Sequence, residues 1–216
     1  MAIYQPRDKF YHKARAQGLR SRAAFKLSEI LNRYRLITHG ARVLDLGCAP
    51  GGWLAILSGA VGARGRVVGI DLAACESIAP NVITLAGDLH DPAVKAAALE
   101  RLGGPADLVT SDLAPKLTGI RARDEACVRE LLDLSLAVAA QALRPGGAMV
   151  AKIFMSADFK AMISDFKRHF RKVEVTRTEA SRPGSAELYV IARDFQPMDE
   201  AASSGSGGEA DSYDGS

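Results

Sequence analysis

The chain has 216 residues, 48% of them hydrophobic and 25% charged, with a net charge of +3. That length suits one domain with a sizeable core. Cys48, Cys75 and Cys127 are widely spaced and His12, His39, His90 and His169 are scattered, which excludes a disulfide framework and a zinc signature; all seven read as structural or incidental. No apolar run approaches the roughly 18 residues of a membrane span and the polar amino terminus does not read as a signal peptide, so a cytoplasmic protein with no membrane attachment is expected.

Residues 1 to 42 hold ten Lys and Arg against Asp8 and Glu29, a net of +8. Such a segment is either a solvated helical face or a polyanion contact, and charge alone does not separate the two. Within it, Ser21 to Leu36 places Ala24, Leu27, Leu31 and Tyr34 at a helical period and leaves Arg22, Arg33 and Arg35 outward.

After the apolar Val43-Leu44, the stretch Asp45-Leu46-Gly47-Cys48-Ala49-Pro50-Gly51-Gly52-Trp53 reads as a strand ending in a glycine loop that opens a helix. Glycines let a ligand approach the main chain, and the free N–H groups of the next helix face it. The spacing is G-x-x-x-G-G rather than the G-x-G-x-x-G of dinucleotide loops. Asp45, two places before the first glycine, would repel a pyrophosphate and suits a cationic or hydroxyl-bearing ligand such as the methionine part or ribose of S-adenosylmethionine.

Strands at about Val67, Val82 and Leu108 follow, in alternation with helices. They end in Asp71, Asp88 and Asp112, so four successive strands end in an acid or in the glycine loop. Convergence at the carboxyl edge of a parallel sheet reads as a site rather than as four solvated caps. A basic excess confined to one segment beside such a nucleotide-type site favours nucleic acid as partner.

A helix is expected from about Arg123 to Leu143, then a tight turn at Pro145-Gly146-Gly147, a strand over Ala148 to Phe154 and a helix over Ala157 to Phe170. Two closing strands, about Lys172 to Thr176 and Glu187 to Arg193, are too close for a helical crossover and should include an antiparallel member. The fold class is therefore α/β: a Rossmann-like, seven-stranded, mostly parallel, doubly wound sheet with helices on both faces. Three segments are expected: a basic RNA-contacting segment over 1–42, a catalytic core over 43–196, and an acidic Gly/Ser-rich tail over 197–216 with nothing to bury.

Lys152 lies in the apolar strand Met149-Val150-Ala151-Lys152-Ile153-Phe154, where an unpaired ammonium would be costly. Glu187 poses the same puzzle in its strand, as does Lys26 inside Ala23-Ala24-Phe25-Lys26-Leu27. Together they could neutralise one another.

Over about residues 8 to 194 the sequence resembles the FtsJ/RrmJ family of ribose 2′-O-methyltransferases. The resemblance rests on Gly18-Leu19-Arg20-Ser21-Arg22-Ala23-Ala24-Phe25-Lys26-Leu27, the Asp45 to Trp53 loop, Ser111-Asp112-Leu113-Ala114-Pro115, Ala151-Lys152-Ile153-Phe154, and Ser181-Arg182 ahead of Glu187-Leu188-Tyr189. It implies the fold of a class I methyltransferase that uses S-adenosyl-L-methionine, and a catalytic Lys-Asp-Lys-Glu tetrad on Lys26, Asp112, Lys152 and Glu187. Gly51 and Trp53 would contact the methionine end of the cofactor, Trp53 through its backbone N–H rather than its ring. Asp71 would meet the ribose, Asp88 the adenine amine, and Asp112 the neighbourhood of the sulfonium. Two local departures stand out: Cys48 at a loop position that is often alanine, and Lys116-Leu117-Thr118-Gly119 where Asn-Met-Ser-Gly is more usual.

The implied reaction methylates a ribose 2′-hydroxyl, of a uridine in 23S rRNA of the large ribosomal subunit. Lys152 would either take the hydroxyl proton, which requires a neutral amine, or stay cationic and stabilise the alkoxide while Asp112 steers the proton. No metal is required and a monomer is expected. Competing readings are a tRNA anticodon-loop 2′-O-methyltransferase, a more remote messenger-cap enzyme and a catalytically silent RNA-binding assembly factor; the glycine pattern disfavours a nicotinamide oxidoreductase.

Overall fold

The structure, a computed structural model, describes residues 23–115, 118–181 and 184–197. The first 22 residues, with six of the bases of the amino-terminal segment, and most of the acidic tail lie outside the described residues.

Seven strands form one sheet: β1 (Arg42–Leu46), β2 (Arg66–Asp71), β3 (Val82–Ala86), β4 (Ala106–Ser111), β5 (Leu143–Phe154), β6 (Phe170–Thr176) and β7 (Glu187–Phe195). Their spatial order is β3-β2-β1-β4-β5-β7-β6. β1 to β5 run parallel, and β7 lies antiparallel between β5 and β6. Four of the five residues of β1 are buried, the pattern of a central strand covered on both faces. The order reverses between β1 and β4, and a crevice opens at their carboxyl ends, where the sheet's two halves diverge.

Helices α1 (Ala23–Tyr34) and α2 (Gly52–Val61) cover one face, burying Leu27, Ile30, Trp53, Leu54 and Leu57 against Val43, Leu108, Val150 and Tyr189. Helices α3 (Pro92–Leu102), α4 (Arg121–Ala142) and α5 (Phe159–His169) cover the other, with Leu102, Leu136 and Phe166 against Leu44, Val68 and Met149. Ala24, Leu27 and Leu31 face the core from α1 as their spacing predicts, while Arg33 and Arg35 are exposed.

Two elements differ from the sequence reading. Among the described residues no helix joins β2 to β3: residues 72–81 cross over as irregular chain, held by Ser77 Oγ donating to the Val82 carbonyl at 2.8 Å and Thr84 Oγ1 donating to the Cys75 carbonyl at 2.6 Å. The turn expected at Pro145-Gly146-Gly147 lies inside a strand. α4 ends at Ala142, β5 begins at Leu143, and a register shift against Ala106 and Leu108 absorbs the three residues as a bulge with Gly146 at φ 75°.

Candidate active site

The glycine loop leaves β1 through Gly47, whose φ of 80° and crowded surroundings exclude a side chain: a Cβ there would lie 3.1 Å from the Leu113 amide nitrogen and 3.0 Å from Leu113 Cδ2. The loop of β1 and the loop of β4 therefore touch through backbone. Gly51, at φ 97°, is the N-cap of α2.

In front of this contact lies an open cleft of about 630 Å³ at the carboxyl ends of β1 to β4. Gly47, Ala49, Asp71, Asp88 and Asp112 line it, as do His90 and Glu130. Asp71 accepts from the Ala49 amide and the Ala73 amide, each at 2.9 Å, and so ties the glycine loop to the chain beyond β2. Asp88 accepts from both the backbone N–H (2.9 Å) and ring Nδ1 (2.8 Å) of His90, bonds that hold its carboxyl below the usual carboxylate range. His90 Nε2 lies 3.4 Å from Glu130, and the bond to Asp88 raises the imidazole above its ordinary value. Read from sequence as incidental, His90 sits on the cleft wall; its place two residues after a strand-terminal Asp was the available signal.

Gly51 and Trp53 stand at the start of α2, two and four residues beyond the cleft-lining Ala49. Trp53 is 3% exposed, its ring Nε1 donates to the Ala23 carbonyl at 2.9 Å, and its ring centroid lies 6.0 Å from that of Tyr189. The indole braces α2 against the start of α1, the helix that carries Lys26. Asp45 is displaced from the expected role: it is wholly buried under the loop, with Thr110 Oγ1 donating to Oδ1 at 2.6 Å and Oδ2 unpartnered among the described residues. Burial pushes its carboxyl up to about 7, with Asp112 and Asp71 adding and the Thr110 bond opposing. An acid covered in this way supports the loop from below rather than facing a cationic ligand.

The tetrad residues come together at the edge of the cleft. Lys26, buried on α1, lies 2.5 Å from Glu187 at the start of β7. Lys152 on β5 lies 2.9 Å from Asp112 Oδ1 and donates to the Asp112 carbonyl at 2.7 Å. The antiparallel register pairs Lys152 with Tyr189 and Phe154 with Glu187, which brings the two ends of the tetrad side by side. Burial raises the Asp112 carboxyl from its ordinary value, against the charges of Lys152 and Lys26. Burial also raises Glu187, but Lys26, Lys152 and Tyr189 outweigh it and hold the carboxyl below its ordinary value. Each acid thus feels both lysines, and the four act as one charge-balanced group. Asp112 belongs to the cleft as well and joins the two regions.

A cofactor with a ribose, an adenine and a sulfonium suits this cleft: acceptors stand at the ends of β2, β3 and β4, and the bare backbone at Gly47 admits close approach. Among the described residues no group of three or more His, Cys, Asp or Glu is placed to hold a metal ion, and no helix is long and apolar enough to cross a membrane.

Comparison with known proteins agrees with this geometry. Residues 19–195 match the family of FtsJ-like methyltransferases. A protein of Anaeromyxobacter dehalogenans named ribosomal RNA large subunit methyltransferase E is 46% identical over 206 residues, covering 89% of this chain and 73% of that protein. A Plasmodium falciparum crystal structure described as a ribosomal RNA methyltransferase is 27% identical with a TM-score of 0.72, covering 83% of this chain and 100% of that one. Fibrillarin from Aeropyrum pernix, crystallised with natively bound S-adenosyl-L-methionine, shares the fold at 19% identity and a TM-score of 0.52, over 73% of this chain and 68% of that one.

Proposed function

The chain belongs to the FtsJ-like methyltransferase family, and from that membership we propose that it methylates a ribose 2′-hydroxyl, of a uridine, in 23S rRNA of the large ribosomal subunit. The observation that carries the reading is the Lys26–Glu187 and Lys152–Asp112 pairs, held at the rim of a cleft lined with strand-terminal acids.

S-Adenosylmethionine supplies an electrophilic methyl on its sulfonium. Asp71 accepts from the ribose hydroxyls and Asp88 from the adenine amine, using lone pairs left over from their backbone bonds. Asp112 places its carboxylate between this cleft and the target hydroxyl. Lys152 already donates to Asp112 Oδ1 and to the Asp112 carbonyl, the arrangement of an ammonium with one further hydrogen to give. It donates that hydrogen to the 2′-oxygen and stabilises the negative charge that grows there, while the hydroxyl proton passes to Asp112. A carboxyl raised by burial is a stronger base than an ordinary one, which suits this step. Glu187 and Lys26 position Lys152 from behind and keep the corner neutral. Gly51 and the Trp53 backbone N–H meet the methionine end of the cofactor from the start of α2, while the Trp53 indole braces α1.

The basic segment of residues 1–42 supplies phosphate contacts, and the folded particle supplies register. The enzyme acts as a monomer in the cytoplasm. Large subunits lacking the modification, incubated with labelled S-adenosylmethionine, should gain one methyl at a single ribose, far faster than free tRNA under matched salt. A preference for tRNA would transfer the assignment to an anticodon-loop enzyme, and no transfer to either would leave an RNA-binding assembly factor.

A further inference from the structure

Cys48 and Cys75 both pack in the apolar cluster on the α2 face of the sheet, Cys48 between the cleft-lining Gly47 and Ala49. Gly69 of β2 makes room for Cys48: a Cβ at that position would lie 2.9 Å from its Sγ. The register partner of Gly69 on β3 is Thr84, whose Oγ1 holds the Cys75 carbonyl at 2.6 Å. The two cysteines therefore stand over neighbouring positions of adjacent strands, Cys48 against Gly69 and Cys75 against Thr84. Cys48 is buried and Cys75 partly exposed, and both belong to the same apolar cluster. Asp71 spans the same two segments, since it binds the amide of Ala49, next to Cys48, and that of Ala73, two residues before Cys75.

We propose that Cys48 and Cys75 are a modification site, a thiol pair that a peroxide oxidises to an intramolecular disulfide, and that this cross-link weakens cofactor binding at Asp71. In the first step the accessible Cys75 sulfur takes a hydroxyl from hydrogen peroxide, giving a sulfenic acid and one water. The Cys48 sulfur then attacks the Cys75 sulfur: the S–S bond forms, the S–O bond breaks, and the hydroxyl leaves with the Cys48 proton as a second water. Two thiols lose two electrons and one peroxide is reduced to two waters. Burial and the neighbouring Asp45 push the Cys48 thiol well up, so its thiolate is scarce and the second step is the slow one. A disulfide holds its two sulfurs about 2 Å apart, closer than any packing contact between thiols. Closure draws the glycine loop and the β2–β3 crossover together and displaces the amides that orient Asp71. The effect on the cofactor rests on the reading of the cleft as an S-adenosylmethionine site.

The full-length protein is treated with hydrogen peroxide, mapped by non-reducing peptide mass spectrometry and titrated with S-adenosylmethionine by calorimetry. The expected result is a Cys48–Cys75 cross-linked peptide and an affinity loss of about tenfold, the worth of one hydrogen bond to a charged acceptor. Dithiothreitol should reverse both, and Cys75→Ser should show neither while binding the cofactor normally. Oxidation confined to Cys127, or to an uncross-linked Cys75, overturns the pair; a cross-link that leaves affinity unchanged overturns the coupling. Reduced protein that fails to bind S-adenosylmethionine sinks the functional reading and the coupling together, while a map without the cross-link sinks the pair alone, so the two failures are distinguishable.

Discussion

At the β5–β7 corner Glu187 and Asp112 are each held by a lysine, whereas at the ends of β2 and β3 Asp71 and Asp88 are held by backbone N–H groups. The lysine-held acids are largely buried, with side chains 15% and 24% exposed, and Asp88 is 57% exposed. The difference follows from the tasks. A group that must steady charge on a reacting oxygen works best where water is excluded and its own charge is balanced by a neighbour. A group that only recognises hydroxyls or an amine can sit in an open cleft, provided its oxygens are fixed in direction. Backbone amides fix them, joined at Asp88 by the His90 ring.

Removing one partner from each region breaks the comparison most directly. Lys26→Met leaves Glu187 buried without its nearest cation and should destabilise the fold by about 3–5 kcal/mol in urea denaturation. The double change of Lys26 and Glu187 to Met should restore most of that stability but not activity. A single change as mild as the double one would mean that the corner is already hydrated.

Asp45 gives the next effect. Its carboxyl is near 7 in the folded protein against 3.8 unfolded, so its contribution to stability is fully present below pH 3.8 and is lost as pH rises to about 7. Asp45→Asn cannot lose a proton, so the stability difference between variant and wild type should shift in the variant's favour by about 4 kcal/mol from pH 3.5 to 8. Parallel pH profiles would place the carboxylate in contact with solvent.

In the open cleft the expected effects are smaller. Asp71→Ala should weaken S-adenosylmethionine by about 1–3 kcal/mol in calorimetry, because a hydrogen bond to a charged acceptor and the tie between two loops are both lost. Asp88→Asn should weaken it less than Asp71→Ala and leave the unfolding midpoint unchanged. A cost at Asp88 larger than at Asp71 would reverse the order of importance along the cleft.

The strand ends were legible in the sequence because an apolar run that stops at an acid carries both the period and the terminus of a parallel strand. The lysines within apolar stretches were legible for the same reason, since Lys26 and Lys152 break a pattern that their neighbours keep. Other features were hidden by distance along the chain. That the Trp53 indole serves Ala23 and Tyr189 depends on how α2 crosses α1, which no local pattern records. The crossover after Asp71 has the length of a short helix, but its backbone is secured by side chains such as Ser77 and Thr84, so the alternation of strands and helices failed there. The Glu130 contact of His90 and the packing of Cys75 near Cys48 belong to the same class: both arise only when β2, β3 and α4 are assembled, although Asp88 gave His90 a local partner.

The division of labour between the two regions can be read from one paired experiment on Lys152→Ala: the single-turnover methylation rate of unmodified large ribosomal subunits at saturating S-adenosylmethionine, and the affinity for that cofactor. The expected result is a rate reduced at least about a hundredfold with affinity changed less than about twofold, since the ammonium acts on the nucleophile. A rate near that of the wild type, or a loss confined to cofactor affinity, would contradict the assignment of the charge-paired corner to catalysis.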